Sequence, residues 1–358
     1  MPLPFILGGI ALAAAGYGAK KGYDGYQDKS LADDINKNSK QKYNRAKNSF
    51  NEKNDNTTKQ LEELGNLQLK IGSDFSEFRK IAEELLRRLN QYGYNKDLKI
   101  SIPQSRMDKI KDFEFSATSY LSKVVGAGMG GAAAAYAVYG GVMAFAAAST
   151  GTPIAALSGV AAYNATLAAI GGGSLAAGGL GMAGGTAILG SVVAAPVIAI
   201  AGIAYASYAE KALAQARENR EETEKVIDKL VLAEGHLGKI STYVNKMETG
   251  IKHIYQFFDR YFDDLKAMDV YIRNGGNIKT VEDTVIRIIS NGYQVAAILT
   301  DIITTPLFKP KLSNGEVIMD ENKVIELEKD ENGMQVINEN AIDEILALSS
   351  HRVEAYSA

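Results

Sequence analysis

The stretch from Leu230 to Ile272, LVLAEGHLGKISTYVNKMETGIKHIYQFFDRYFDDLKAMDVYI, decides how the chain folds. Its apolar side chains fall at Leu230, Ala233, Leu237, Ile240, Val244, Met247, Ile251, Ile254, Phe258, Tyr261, Leu265, Met268 and Ile272. Steps of three and four residues throughout are the signature of one long α-helix with a single apolar seam. A straight helix over this stretch spans roughly 65 Å. The run Asn274-Gly275-Gly276-Asn277 then stops it.

Two other segments keep the same period. One runs through Leu61, Leu64, Gln68, Ile71, Phe75, Phe78, Ala82, Leu85, Leu89 and Tyr92, and ends at Gly93 and Asn95 with a break confirmed by Pro103. The other is an apolar helix through Val281, Val285, Ile288, Val295, Leu299 and Ile302, closed by Pro306. A shorter helix starts near Ser105. Residues 28–60 are polar, with sparse apolar positions at Leu31, Ile35, Tyr43 and Phe50, and read as a weak helix or a solvated connection. Seams that match in period predict an all-α fold: an elongated antiparallel helical bundle with a central Gly/Ala-rich hydrophobic hairpin and a small C-terminal β/α appendage.

Between the seams the charge disappears. Lys123 is followed by no charged residue until Glu210, so 124–209 form an uncharged run of 86 residues. It holds 28 Ala and 18 Gly but only 23 Val, Ile, Leu, Phe or Met. Each large aliphatic contributes a few tenths of a kcal/mol towards insertion into lipid, so a Gly/Ala-rich segment gains less from lipid than an ordinary span. Small residues instead let helix backbones approach closely, and Gly126/Gly130 and Gly181/Gly185 have that four-residue spacing. These four are the expected helix-packing residues. Thr186 to Ala206 is the most lipophilic piece and is just long enough to cross ~30 Å of hydrocarbon. Its Ile188, Leu189, Val192, Val193, Pro196, Val197, Ile198, Ile200 and Ile203 are the expected insertion residues, with Pro196 kinking the helix. Val124 to Ala148 is a second candidate span, and two spans make a hairpin.

The N-terminal Leu3 to Ala19 is apolar, with Phe5, Ile6 and Leu7 as its insertion residues, and Lys20-Lys21 follow it. A secretory signal carries its positive charges before the apolar core, so this segment reads as an uncleaved amphiphilic anchor or a buried helix. Charge is graded along the chain. Residues 1–123 carry 21 basic and 16 acidic side chains, whereas 306–358 carry 5 and 11. The basic N-terminal third is the better match for anionic lipid.

Most chemistry is excluded. With no cysteine there is no thiol nucleophile, disulfide framework or Cys-based zinc site. His236, His253 and His351 are too scattered for a three-His metal site, and a net charge of −3 argues against a nucleic-acid partner. Gly126 to Gly131 and Gly179 to Gly184 match G-x-G-x-x-G, but a dinucleotide site needs an acidic residue about 20 positions on. None follows the first match for almost eighty positions. Asp259, Asp263 and Asp264, beside Arg260, read as a solvated helix face. The chain therefore reads as a non-enzyme with no cofactor, no metal and no catalytic residues.

The tail changes character. Glu316 to Met319 and Val324 to Leu327 read as short strands across a turn at Asp320 to Asn322. Asn332-Gly333 introduces a third at Met334 to Ile337, and Asn338 or Asn340 caps a last helix through Leu348. The expected divisions are 1–27, an apolar segment; 28–123, the first part of the bundle; 124–209, the insertion region; 210–305, the second part with the long helix; and 306–358, the acidic appendage.

The order of long helices, uncharged Gly/Ala hairpin and very long helix resembles the α-helical pore-forming toxins of the cytolysin A and haemolysin BL type over about 28–305. It is also similar to apolipoprotein L-type proteins and to bacterial Gly-zipper membrane proteins. The resemblance is architectural. It implies a hydrophobic hairpin that inserts into a membrane and oligomerises to form a pore or permeability defect. The implied partners are a lipid membrane and a homo-oligomer or partner subunits. The implied location is membrane-associated after a soluble stage, in a bacterial cytoplasm or secreted. The competing expectation is a membrane-anchored coiled-coil scaffold that recruits proteins such as membrane-remodelling GTPases.

Overall fold

A computed structural model describes residues 19–91, 102–124, 133–134, 136–138, 209–314, 316–318, 326–332 and 334–356. The first long helix, α1, runs unbroken from Ala19 to Gln91, and α2 from Gln104 to Val124. Beyond the uncharged run come α3 (Ala209–Arg273), α4 (Glu282–Ile303) and α5 (Glu339–Val353). The described chain forms an all-α bundle. Both expected long seams lie on single helices, with α1 at 73 residues and α3 at 65.

The helices pack into two units. In the first, α1 residues 19–56 lie along α3 residues 209–239. Ser49 donates to Glu234 at 3.0 Å and Lys42 approaches Glu224 at 3.9 Å. The paired numbers rise together, so the two helices are parallel. The seam comprises Ala32, Ser39, Tyr43, Phe50 and Asn54 on α1, and Ala216, Val226, Leu230, Ala233 and Leu237 on α3. Residues 28–56 are therefore neither a weak helix nor a solvated connection; they belong to the same continuous helix as the apolar seam after them. Leu31 is exposed and Ala32 buried, because the stripe follows the three–four step back from Tyr43.

The second unit gathers the rest of α1 and α3 with α2, α4, α5 and the tail. Here too α1 and α3 are parallel: Ser241 donates to Gln60 at 2.6 Å, and Tyr255 donates to Asp74 at 2.7 Å. This corrects the expected antiparallel pairing of the long seams. The reason is topological, since apolar period carries no direction and the intervening 124–209 leaves either orientation open to the second helix. Neighbours joined by short connections do reverse. Phe113 packs edge-on to Phe75, Glu114 pairs with Arg79, and Ala117 lies against Gly72, so α2 descends along α1. The α3–α4 turn uses Gly275 at φ +89°, a left-handed conformation that glycine adopts without a Cβ penalty.

The core of this unit is aromatic. Phe78 meets Phe258, Phe262 and Tyr293 at centroid distances of 5.3, 6.1 and 5.2 Å, and Phe75 meets Phe258 at 4.8 Å. Every expected described seam residue from Leu61 to Leu89 is buried. On α3 the seam drifts late: Phe262 and Asp269 are buried, whereas Tyr261 and Met268 are only half-buried. Over residues 295–300 of α4 every position is buried, because α2 packs on one side and α5 on another.

The tail packs with the same unit. Leu307, Phe308, Ile342 and Val353 are fully buried. Leu312–Ser313 pairs antiparallel with Glu316–Val317, so the first predicted strand folds back on residues just before it. Ile318 still accepts from the Glu326 amide, and Lys309 donates its amide to Val336. Asn338 precedes α5 but its side chain donates to the Pro306 carbonyl at 3.2 Å and caps no amide of the helix.

Candidate functional site

The residues expected to act on a membrane lie outside the described residues. That holds for Phe5, Ile6 and Leu7, for Ile188, Leu189, Val192, Val193, Pro196, Val197, Ile198, Ile200 and Ile203, and for Gly126, Gly130, Gly181 and Gly185. Among the described residues no helix is long and apolar enough to cross a membrane. Both expected spans, 186–206 and nearly all of 124–148, fall outside that search. The described helices bracket the uncharged run closely, with α2 reaching Val124 and α3 starting at Ala209.

A small part of the run is described, and it is packed away. Ala133, Ala134, Tyr136, Ala137 and Val138 are all helical and buried, none more than 5% exposed. Tyr136 packs at a tilt of 53° against Tyr120 of α2 with centroids 5.1 Å apart, and its hydroxyl reaches Ser116 Oγ at 3.5 Å. The Ala133 carbonyl lies against Gly65 of α1 so closely that a Cβ there would collide with it. Sequence reasoning placed these residues within a membrane span. The signal that separates them is Tyr136, a hydroxyl-bearing ring that needs a polar partner when buried.

Four polar clusters tie the second unit together, and sequence reasoning found none of them. Lys70 donates to Asp74 at 2.8 Å and to the Tyr255 oxygen at 2.5 Å; Tyr255 is also within 3.2 Å of Asp259. Burial first, and then the Asp74 carboxylate, push the Tyr255 phenol well above its ordinary range. Arg79 grips Glu114 with two hydrogen bonds of 2.8 and 2.7 Å and also reaches Glu83. The Glu114 hydrogen bond does most to hold the guanidinium protonated. Asp301 on α4 receives Arg106 from α2 and Arg352 from α5, with Lys109 at 4.0 Å. Lys246 on α3 donates to Asp343 on α5 at 2.8 Å, which lowers the Asp343 carboxyl below its usual value. Arg79–Glu114, Arg106–Asp301, Arg352–Asp301 and Lys246–Asp343 each join two helices, and Tyr255 links α3 to Asp74 on α1, so these clusters fix helix against helix.

Of the acidic trio on α3, Asp263 and Asp264 are exposed, with Asp263 near Lys266 at 3.6 Å, while Asp259 lies 3.2 Å from the Tyr255 oxygen. They do not converge. Among the described residues no group of three His, Cys, Asp or Glu side chains is placed to hold a metal. In the first unit a recess of about 500 Å³ is lined by Lys42, Arg45, Glu224, Ile227 and Asp228. Its two cations and two carboxylates balance, which leaves no net charge to select an ion. No family model, no curated protein and no solved structure matches this chain.

Proposed function

We propose that this is a membrane-active helical protein that inserts the Gly/Ala-rich run between α2 and α3 and oligomerises to permeabilise a bilayer. The observation that carries the reading is the run itself. Eighty-six consecutive residues without a charge sit between two helices whose outer faces are densely charged. An uncharged segment of that length needs either lipid or a protein cover. Among the described residues of the run, Ala133, Ala134, Tyr136, Ala137 and Val138 have the second kind of cover.

The glycines supply the oligomeric half of the proposal. If Gly181 and Gly185 line a close helix contact in lipid, Leu at either position forces the backbones apart, at a cost of about 1–3 kcal/mol. The same substitutions make the segment more apolar and favour entry into lipid. Dye release and vesicle binding by the purified protein therefore separate the possibilities. Binding with release by wild type, and binding without release by Gly181→Leu and Gly185→Leu, supports a packed inserted assembly. Unchanged release by those variants removes the close-packed contact. Binding without release by wild type favours the anchored scaffold that recruits other proteins.

A further inference from the structure

We infer that residues 133–138 are the fixed root of the uncharged run: they stay seated on Gly65, Ser116 and Tyr120 while residues beyond them enter the bilayer. The inference rests on the membrane reading above and divides the run into a part that moves and a part that does not.

Three observations place the seat. Gly65 lies on the buried stripe of α1, where alanine would favour the helix by about 0.8–1.0 kcal/mol, so a glycine there is a local loss. Its lack of a side chain is what admits the Ala133 carbonyl. Seven residues on, Gly72 admits Ala117 of α2 in the same manner, so α1 takes α2 and the start of the run along one close-packed edge. The third observation is Tyr136. Its ring is wholly buried, tilted against Tyr120, with its hydroxyl directed at Ser116.

Lifting this segment into lipid would expose the Gly65 edge and leave a ring-sized void beside Tyr120. It would also carry a phenolic hydroxyl away from its partner. Residues 186–206 have no such handle, since that stretch holds one tyrosine, Tyr205, at its far end. The polar ring thus marks where bundle core gives way to the insertable part. On this reading the span expected at 124–148 does not form, and the membrane segments lie beyond Val138.

The chain contains no tryptophan, so one introduced indole is a clean reporter. Tyr120→Trp places it in the seat and Ile198→Trp in the insertable part. Each is mixed with vesicles of phosphatidylcholine and phosphatidylglycerol, with or without brominated acyl chains. The expected result is strong bromine quenching of the Ile198→Trp reporter. The Tyr120→Trp reporter should show unchanged quenching by bromine and by acrylamide. Adding Gly65→Leu to Tyr120→Trp should raise acrylamide quenching severalfold, because it unseats Ala133. Bromine quenching at Tyr120→Trp, or a rise in acrylamide quenching when vesicles are added, overturns the fixed root. Should Tyr120→Trp fail to fold, Tyr136→Trp reports from the root itself and must likewise escape bromine. A silent Ile198→Trp sinks the membrane reading and the division with it, whereas a responsive Ile198→Trp with a disturbed seat sinks the root alone.

Discussion

The phenol of Tyr255 donates to the Asp74 carboxylate across 2.7 Å while accepting from Lys70 at 2.5 Å, so one hydroxyl links α1 to α3 in both hydrogen-bonding senses. Replacing it by Phe leaves the ring in place and removes both bonds. Tyr255→Phe should lower the unfolding free energy by about 1.5–3 kcal/mol, the scale of hydrogen bonds to charged groups, as read by urea denaturation at pH 7. An unchanged midpoint would show that Lys70 satisfies Asp74 unaided.

The same phenol makes a pH prediction. Its folded-state value is raised, so the stabilisation is complete below the unfolded tyrosine value of about 10 and is lost as pH climbs beyond it. Tyr293, raised chiefly by burial, acts in the same direction. Wild-type stability should therefore fall between roughly pH 10 and 11, and Tyr255→Phe should fall less steeply. Parallel curves would assign the loss to other groups.

Gly292 on α4 faces the Phe78 ring, and a Cβ there would come within 2.7 Å of Cε2 and nearer still to Cζ. The ring cannot yield, because Phe258, Phe262 and Tyr293 enclose it. Gly292→Ala should then destabilise by about 1–3 kcal/mol despite alanine's better helix propensity. A thermal midpoint at or above that of wild type would show that the aromatic core can repack.

Arg79 donates two hydrogen bonds to Glu114, whose side chain is only 7% exposed. Arg79→Met keeps the aliphatic stem but strands the carboxylate, at a cost of about 2–3 kcal/mol at pH 7. A urea midpoint at pH 7 equal to that of wild type would mean that water reaches Glu114.

For the membrane reading, Val193→Asp and Ile198→Asp place a charge near the middle of the 186–206 span. Each should oppose insertion by about 2.5–3.5 kcal/mol and abolish most dye release. Two fully active variants would mean that this span is wrongly drawn.

The sequence made the bundle legible where its seam is built from large apolar side chains, as from Leu61 to Leu89. It was far less legible from residue 28 to 60, because there the buried stripe passes through Ala32, Ser39, Asn54 and Thr57, residue types that surfaces also use. Tyr261 and Phe262 compete for one seam position, and period cannot choose between neighbouring aromatics; the structure buries Phe262 and lends the Tyr261 hydroxyl to the Tyr356 carbonyl. Strand-like 316–319 was visible, but its partner Leu312–Ser313 is too short and too polar to announce itself. The polar clusters were illegible for a different reason. Arg106, Asp301 and Arg352 are separated by up to 246 positions (352 − 106), and only folding makes them neighbours.

The parallel course of α1 and α3 also sets a timetable for the emerging chain. Phe78 leaves the ribosome 180 residues before Phe258 (258 − 78), the ring it finally packs against. At about 5–20 residues per second that interval is roughly ten to forty seconds. The whole uncharged run is translated within it, before α3, α4 or α5 exists to shelter α1. Nascent α1 thus displays a bare aromatic stripe, and α2 is the first helix of the described fold available to cover it.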